Sequence, residues 1–354
     1  MEALESDHQQ GDGPFTARAS KMVSDLVGGG HVLLTPSCTH ALEMASMLGN
    51  FGPGDEVILP SYTFTSAATA VTKFGATPVF VDIDPITKGI DANHVADAVT
   101  DKTVAISWVN YAGVAPDIEA LQAISKAHDL LLIEDNAHGL GGSYKGKPLG
   151  SFGDFATQSF HATKNIQCGE GGALIINSNE NIQRAEIIRE KGTDRSKFIR
   201  GEVQKYQWVD QGSSYLIAES LAAVLCGQLE NFDLIQNARQ LITKKYSTIK
   251  IPESVMTNNE DANLVAHMYY LQFAQESSLD KFAMEMLNLK IGVAKHYQPL
   301  HKSIYASERF KKVTIAPVAE HVSQTIIRLP LWIGLNDNQI DLLHQKISEF
   351  MEKY

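Results

Sequence analysis

Cysteine is scarce in this chain. Cys38, Cys168 and Cys226 are odd in number, far apart and without a CxxC pair. That supports neither a zinc site nor a disulfide frame, and reads as free thiols in a reducing compartment. Long apolar runs are missing too: no stretch reaches the ~18 consecutive apolar residues of a spanning helix, so no membrane is expected as a partner. Residues 1–14 are polar and contain glycine, unlike a signal or transit peptide. Dense Lys/Arg runs are absent and the formal net charge is −11, which argues against nucleic acid as a partner. The expectation is a soluble, cytoplasmic protein. Any site for an anion must supply local donors against the overall field. GxxxxGK[ST] does not occur, and Gly139-Leu140-Gly141-Gly142 does not complete GxGxxG, so an ATP-type loop and a Rossmann dinucleotide site are unsupported.

The chain has 354 residues, 44% hydrophobic and 20% charged, an ordinary globular profile at a length that usually divides into two domains. Residues 1–14 read as a flexible arm, followed by a helix over Phe15–Leu26 that Gly28-Gly29-Gly30 ends. Short apolar runs then alternate with amphipathic stretches. The runs are His31–Thr35, Glu56–Leu59, Pro78–Val81, Val104–Val109 and Leu130–Glu134. Between them lie Ala41–Leu48, Ser66–Phe74, Ala92–Val99 and Ile118–His128. Such alternation predicts crossover units and a mainly parallel sheet. Phe155–Phe160 and Ala173–Ile176 read as strands joined without a helix, so the sheet reverses direction there. Helices follow at Ser220–Leu229 and Phe232–Lys250, the second ended by Pro252. The remainder offers strands at His267–Phe273 and Val293–Tyr297 and helices at Asp280–Leu289 and Asp337–Met351. The expected fold class is α/β, with a large domain over residues 1–235 and a small α+β domain over residues 236–354.

Three segments carry chemistry. Leu130–Ile133 leads into Glu134 and Asp135. In a parallel sheet ligands sit beyond the carboxyl ends of strands, and alternation sends these two carboxylates to opposite faces. One can meet a ligand while the other makes a structural contact; a solvated acidic turn is the plainer reading. Lys164 follows an apolar strand in a loop flanked by Gly169-Glu170-Gly171-Gly172. A lysine shielded from solvent has a lowered pKa and becomes a nucleophile, although most lysines are simply exposed. Thr35-Pro36-Ser37-Cys38-Thr39-His40-Ala41 lies between a strand and a helix. Backbone N–H groups at a helix start, with hydroxyls beside them, form a phosphate cradle; Ser37 or Thr39 would also serve as a plain N-cap. A phosphate cradle, a carboxylate at a strand end and a loop lysine are together what pyridoxal 5'-phosphate (PLP) needs.

With Pro53-Gly54-Asp55-Glu56-Val57, Pro60-Ser61-Tyr62-Thr63-Phe64, His296-Tyr297-Gln298-Pro299-Leu300-His301 and Arg328-Leu329-Pro330-Leu331, these segments resemble the DegT/StrS family of nucleotide-sugar aminotransferases. The resemblance begins at Gly11-Asp12-Gly13-Pro14 and spans nearly the whole chain. It implies the aspartate-aminotransferase fold (PLP fold type I), with PLP passing through its pyridoxamine phosphate form. Carried over by position, Lys164 is the lysine that bonds to the cofactor aldehyde and later moves protons. Asp135 pairs with the pyridine nitrogen, and His138 lies near the ring hydroxyl. Phe64 stacks on the ring, and Cys38, Thr39 and Ser159 bind phosphate. Core packing is the plainer reading of Phe64, and a hydrogen-bonded core histidine that of His138. Relatives often carry His where this chain has Asn110, and Ala where it has Asn136.

Lys191–Ser196, Arg200–Val203, Lys205–Trp208 and Gly212–Tyr215 resemble one subgroup of that family. It aminates a dTDP-linked 4-keto-6-deoxyhexose with L-glutamate, giving a 4-amino-4,6-dideoxygalactose for bacterial surface polysaccharide such as O-antigen. The resemblance implies a homodimer with shared sites. Many relatives carry Asn-Tyr-Arg at Ser214-Tyr215-Leu216, the Asn reaching the cofactor phosphate across the dimer interface; Ser214 is the shorter counterpart. Between Arg195 and Trp208 basic residues alternate with aromatics, as binding loops often do. Arg200 and Lys205 are therefore candidates for the diphosphate, Tyr206 and Trp208 for sugar or base, and His296 and Tyr297 join the substrate residues. A dimer arm whose aromatics merely pack is the plainer reading. Amination at position 3, or the gluco product at position 4, are the nearest alternatives. Relatives that dehydrate sugars replace the lysine by His, so Lys164 speaks against that chemistry. A regulator without catalysis has no need of the lysine and acid pair. No metal is implied.

Overall fold

The computed structural model describes residues 2–5, 7–258, 265–310 and 314–354. The strands of the larger part are β1 (His31–Thr35), β2 (Glu56–Pro60), β3 (Thr77–Val81), β4 (Thr103–Val109), β5 (Leu131–Asp135), a small hairpin of β6 (Ser143–Tyr144) with β7 (Lys147–Pro148), then β8 (Phe155–Ser159) and β9 (Gly172–Ile176). Seven of them form one sheet in the order β1-β9-β8-β5-β4-β2-β3. The pairs β3-β2, β2-β4, β4-β5 and β5-β8 are parallel. β9 runs against both β8 and β1, so the expected reversal occurs where no helix separates two strands.

Period-two alternation explains why helices cover both faces. Leu33, Leu174 and Ile176 pack with the helix Cys38–Leu48. Their neighbours Val32, Leu34, Ala173 and Ile175 join the core of the helices Pro14–Leu26 and Glu219–Glu230. Strands sandwiched in this way are largely apolar, as expected of a sheet covered on both sides.

The smaller part holds β10 (Val255–Thr257), β11 (Tyr269–Phe273), β12 (Ala294–Lys295) and β13 (Ile326–Leu329). They form an antiparallel sheet in the order β10-β11-β13-β12. Helices Phe232–Ser247, Glu276–Asn288 and Asp337–Met351 cover it, burying Ile242, Tyr246, Phe282, Ile347 and Phe350 with Leu271 and Phe273. The helix Phe232–Ser247 does not run to Lys250 as expected, and Pro252 lies beyond its end. Ser247 and Thr248 donate their hydroxyls back to the carbonyls of Thr243 and Lys245, which satisfies the last turn and competes with further helix. The strand expected over Val293–Tyr297 shrinks to β12 because His296 and Tyr297 turn their stacked rings to the site described below.

The arm expected to be flexible is tied down in its last residues. Helix Pro14–Leu26 has no side-chain cap of its own. Instead the buried carboxylate of Glu219 accepts from the N–H groups of Gly13 (3.0 Å), Phe15 (2.9 Å) and Thr16 (3.0 Å), and from the Thr16 hydroxyl. A Cβ on Gly13 would lie 2.6 Å from that carboxylate, so a larger residue there would push Glu219 aside. Asp12 pairs with Arg189 at 2.5 Å. Glu219→Ala strands these donors in a buried place and should destabilise the protein by about 3 kcal/mol, read as a lowered urea midpoint at unchanged slope. A midpoint equal to the wild type's would mean that water replaces the carboxylate.

Candidate active site

Beyond the carboxyl ends of β4, β5 and β8 lies a cavity of about 460 Å³. Among its lining residues are Cys38, Thr39, Phe64, Asp135, His138, Ser159, Lys164, His296 and Tyr297. Residues distant in sequence thus meet at the place where a parallel sheet presents ligands.

The last two residues of β5 divide as alternation requires. Glu134 turns under the site and is fully buried. It accepts from Asn110 Nδ2 (2.8 Å), the Gly150 N–H (2.7 Å) and the Phe152 N–H (3.0 Å). Asp135 faces the cavity, where the Ala137 N–H donates to it at 3.1 Å. Burial pushes its pKa up, opposed by that N–H and by the charge of Lys164. Asn110 and Asn136, the two departures from the usual pattern, bond to each other at 2.9 Å, and Asn136 Nδ2 donates to Gln158 Oε1 at 3.2 Å. Both side chains serve the network beneath the floor and neither lines the cavity.

Lys164 sits half-buried in the loop between β8 and β9, its N–H bonded to the His161 carbonyl at 2.9 Å. Burial lowers its pKa; Cys38 and Asp135 pull it back up, and Arg328 lowers it further. The amine is therefore easier to deprotonate than an exposed lysine's. Gly172 explains the glycine run. A Cβ there would lie 2.3 Å from the Ser37 carbonyl carbon and 2.4 Å from the Cys38 nitrogen, so β9 passes tightly under the start of helix Cys38–Leu48. Ser37 caps that helix by accepting from the His40 N–H at 3.2 Å. The Thr39 hydroxyl pairs with Ser66 at 2.7 Å. Helix N–H groups with two hydroxyls at the cavity wall offer an anion cradle. Burial pushes the Cys38 thiol well up, so it sits there as a neutral group.

Phe64 is 57% exposed at the cavity wall. It is not a core residue and lines the cavity instead. His138 is buried, and the Ala112 N–H donates to its Nδ1 at 3.3 Å. That bond leaves the proton on Nε2. Burial holds the His138 pKa well below the ordinary value, helped by Lys164, His296 and Arg328.

Sequence reasoning gave no role to Arg328, although it lies within a motif of the resemblance, nor to Tyr111, Ser66, His161 and His267, which also line the cavity. Arg328 on β13 donates from Nη1 to His296 Nε2 at 2.5 Å, and its buried Nε has no partner among the described residues. His296 Nδ1 in turn lies 3.3 Å from the Tyr111 hydroxyl. Burial and Arg328 lower the His296 pKa to about 3. The signal for Arg328 was an arginine inside the apolar run Ile326-Ile327-Arg328-Leu329. The structure does not bring Arg200, Lys205, Tyr206, Trp208 or Ser214 to this cavity within one chain. Arg200 pairs with Glu186 and Glu202. Trp208 is 79% exposed, and Tyr206, Lys205 and Ser214 are exposed as well.

The model of the DegT/DnrJ/EryC1/StrS aminotransferase family matches residues 1–348. The chain belongs to that family. It is similar to the spore coat polysaccharide biosynthesis protein SpsC of Bacillus subtilis, at 31% identity over 96% of this chain and 90% of that protein. The putative sugar aminotransferase Spr1654 from Streptococcus pneumoniae, solved in a PMP form, superimposes with a TM-score of 0.91 at 26% identity, covering 99% of this chain and 95% of that one. Helicobacter pylori PseC, an aminotransferase involved in pseudoaminic acid biosynthesis, gives 0.89 at 25% identity, covering 100% of this chain and 95% of its own. The fold is PLP fold type I, and the chain is a PLP-dependent sugar aminotransferase. Among the described residues no helix is long and apolar enough to cross a membrane.

The two asparagines supply a test. Asn136→Ala removes an acceptor from Asn110 and a donor from Gln158, all buried. The expected loss is about 2 kcal/mol of stability with PLP absorbance retained. Equal stability, or loss of bound cofactor, would place Asn136 in another role.

Proposed function

We propose that this enzyme transfers the amino group of L-glutamate to a dTDP-4-keto-6-deoxyhexose, giving dTDP-4-amino-4,6-dideoxygalactose. The observation that carries the reaction is Lys164 sharing one cavity with buried Asp135, each acting on the other's charge. PLP, when bound, supplies an aldehyde for amine exchange and a protonated ring that takes up electron density. The residues fit it. The start of helix Cys38–Leu48, with Cys38, Thr39 and Ser159, would hold its phosphate. Asp135 would keep the pyridine nitrogen protonated, since opposite charges favour ionised partners. Phe64 would cover a ring face, and His138 Nε2–H would meet the ring oxygen. Lys164 Nζ would bond to the aldehyde and, when free, carry the proton between substrate and cofactor.

The donor is read from charge. The cavity places Arg328 with its Nε unpartnered on the side of His296 and Tyr297. A guanidinium so placed suits a planar carboxylate such as glutamate's. The acceptor is read from the segments between Lys191 and Tyr215. They stand exposed, with Phe198, Ile199, Tyr206, Trp208 and Val209 uncovered, and clustered exposed apolar side chains mark interaction surfaces. We infer that a second copy covers this patch in a homodimer. Arg200, Lys205, Tyr206, Trp208 and Ser214 would then serve the site of the partner subunit. SpsC and PseC carry names from polysaccharide and pseudoaminic acid biosynthesis, in keeping with a sugar substrate.

Two experiments decide these points. In the first, borohydride should fix the cofactor to Lys164. Lys164→Ala should abolish glutamate turnover while some PLP stays bound, and Asp135→Asn should slow proton abstraction on the order of hundreds-fold. Normal turnover in either variant sinks its assignment. The second separates donor from acceptor by following each half-reaction. Arg328→Gln should raise the glutamate requirement on the order of tenfold or more. Lys205→Ala should raise the KM for the sugar nucleotide and leave the glutamate half-reaction nearly intact. Joint loss of both half-reactions in Lys205→Ala, or dissociation of the dimer, would make the segment structural. The same assay over a panel of 3-keto and 4-keto sugar nucleotides tests the sugar itself; preference for another ketone overturns that part.

A further inference from the structure

His267 is a buried histidine that nothing above requires. It is 2% exposed, lines the cavity, and its Nδ1 has no hydrogen-bond partner among the described residues. Its ring lies parallel to that of His138, with centroids 4.4 Å apart and planes 22° from each other. The two come from different parts of the fold. His138 follows β5 of the large sheet; His267 precedes β11 of the small one.

Both partners are held from behind. Arg239, on helix Phe232–Ser247, donates from Nε to the Ala266 carbonyl and from Nη2 to the His267 carbonyl, each at 2.6 Å. Asn258 donates to the next carbonyl, that of Met268, at 2.7 Å. On the other side, Tyr111 meets the His138 ring edge-on at 5.9 Å. The N–H that fixes Nδ1 comes from Ala112, whose φ of 55° lies in the left-handed region. A non-glycine residue there is strained and persists only where its surroundings hold it. One hydrogen bond at 3.3 Å does not stop an imidazole from flipping, which would exchange Nδ1 and Cδ2 at nearly equal shape. A second parallel ring closes the remaining face.

We propose that His267 is a positioning residue that locks the His138 imidazole in one plane and one tautomer, so that Nε2–H is always presented to the cavity. This rests on the role proposed for His138. The charged and titratable groups acting on the pair come from several elements. Lys164, His296 and Arg328 act on His138, and His138, Lys164, Arg239 and Arg328 act on His267. All but the two histidines are cations, and with burial they hold both rings neutral. A neutral ring beside His138 leaves its proton where Ala112 sets it. Removing that ring opens the face and lets the imidazole flip.

The readout is 15N-histidine NMR of the full-length holoenzyme, with the His138 signals identified by their loss in His138→Gln. In the wild type His138 should show one protonated and one unprotonated ring nitrogen, unchanged from about pH 5.5 to 8.5. With His267→Ala those signals should average between the two tautomers while remaining those of a neutral ring, because Lys164, His296 and Arg328 still oppose its charging. His267→Phe keeps a flat ring without a titrating nitrogen and should preserve the wild-type pattern. Unchanged His138 signals in His267→Ala overturn the proposal, and so does an averaged signal in His267→Phe. Should the alanine variant fail to fold, His267→Leu, which fills the space without a flat ring, should average the signals in the same way, and unchanged signals there overturn the proposal. Failure of the underlying role looks different: His138→Leu, which removes the donor, would then leave the cofactor absorbance untouched, whatever the state of His267.

Discussion

Two carboxylates in succession at the end of β5 cannot share a face, and the site is built around that restriction. Glu134 goes under the sheet, and the fold meets it there with donors from Asn110, Gly150 and Phe152. Once it is satisfied, β5 is fixed in register and depth. Asp135 is thereby left on the cavity side with a single backbone donor from Ala137. A buried carboxylate so sparsely bonded favours a nearby cation, because transfer from water costs several kcal/mol unless charge or hydrogen bonds offset it. Lys164 provides positive charge in the resting chain, and a protonated pyridine would provide it in the loaded enzyme.

The cavity takes its acid, lysine and anion cradle from the larger sheet. Its arginine and three of its aromatic rings (His267, His296 and Tyr297) come from the smaller part. Such a division is useful only if the two parts are held in register, and the interface shows how. Asp82, after β3, accepts from the N–H groups of Val318 and Ala319 at 2.9 and 2.8 Å, so a carboxylate of one part caps a helix of the other. Ser61, after β2, accepts at its carbonyl from the Leu300 N–H (2.8 Å) while its hydroxyl meets His301 at 2.5 Å. These bonds anchor the turn after His296 and Tyr297 beside the loop that carries Phe64. Placing the rings is thus a matter of backbone and buried polar bonds rather than of apolar contact alone.

Much of this was legible in the sequence, and the remainder failed for definable reasons. The strands of the larger sheet announce themselves because a strand covered on both faces is mostly apolar. His31–Thr35 and Ile118–His128 coincide with their elements residue for residue. Asp135, Lys164 and the cradle could be read because each lies at the junction of a strand with a glycine-rich or helix-starting segment. Arg328 escaped because β13 is four residues long, too short for a period to show, and because its meaning depends on His296, which lies 32 positions earlier. The tail over residues 1–14 looked free because its cap, Glu219, is more than two hundred positions away. Asn110 and Asn136 looked like independent oddities until their side chains proved to bond to each other.

The electrostatics of the cavity follow from the same economy of donors. The chain carries a net charge of −11, a field that repels a phosphorylated cofactor, a dicarboxylate and a nucleotide diphosphate alike. Surface lysines could oppose it only weakly, because exposed charges are screened over roughly 8–10 Å. Depth is the stronger device. Lys164 and Arg328 are set where water is limited, and His138, His267 and His296 are all held neutral by burial and by those cations. Neutral rings contribute directed donors and acceptors without adding charge that would need its own counter-ion. The lysine and the arginine of the cavity come one from each part of the fold, and an anion between them would be attracted by position rather than by the overall charge of the protein.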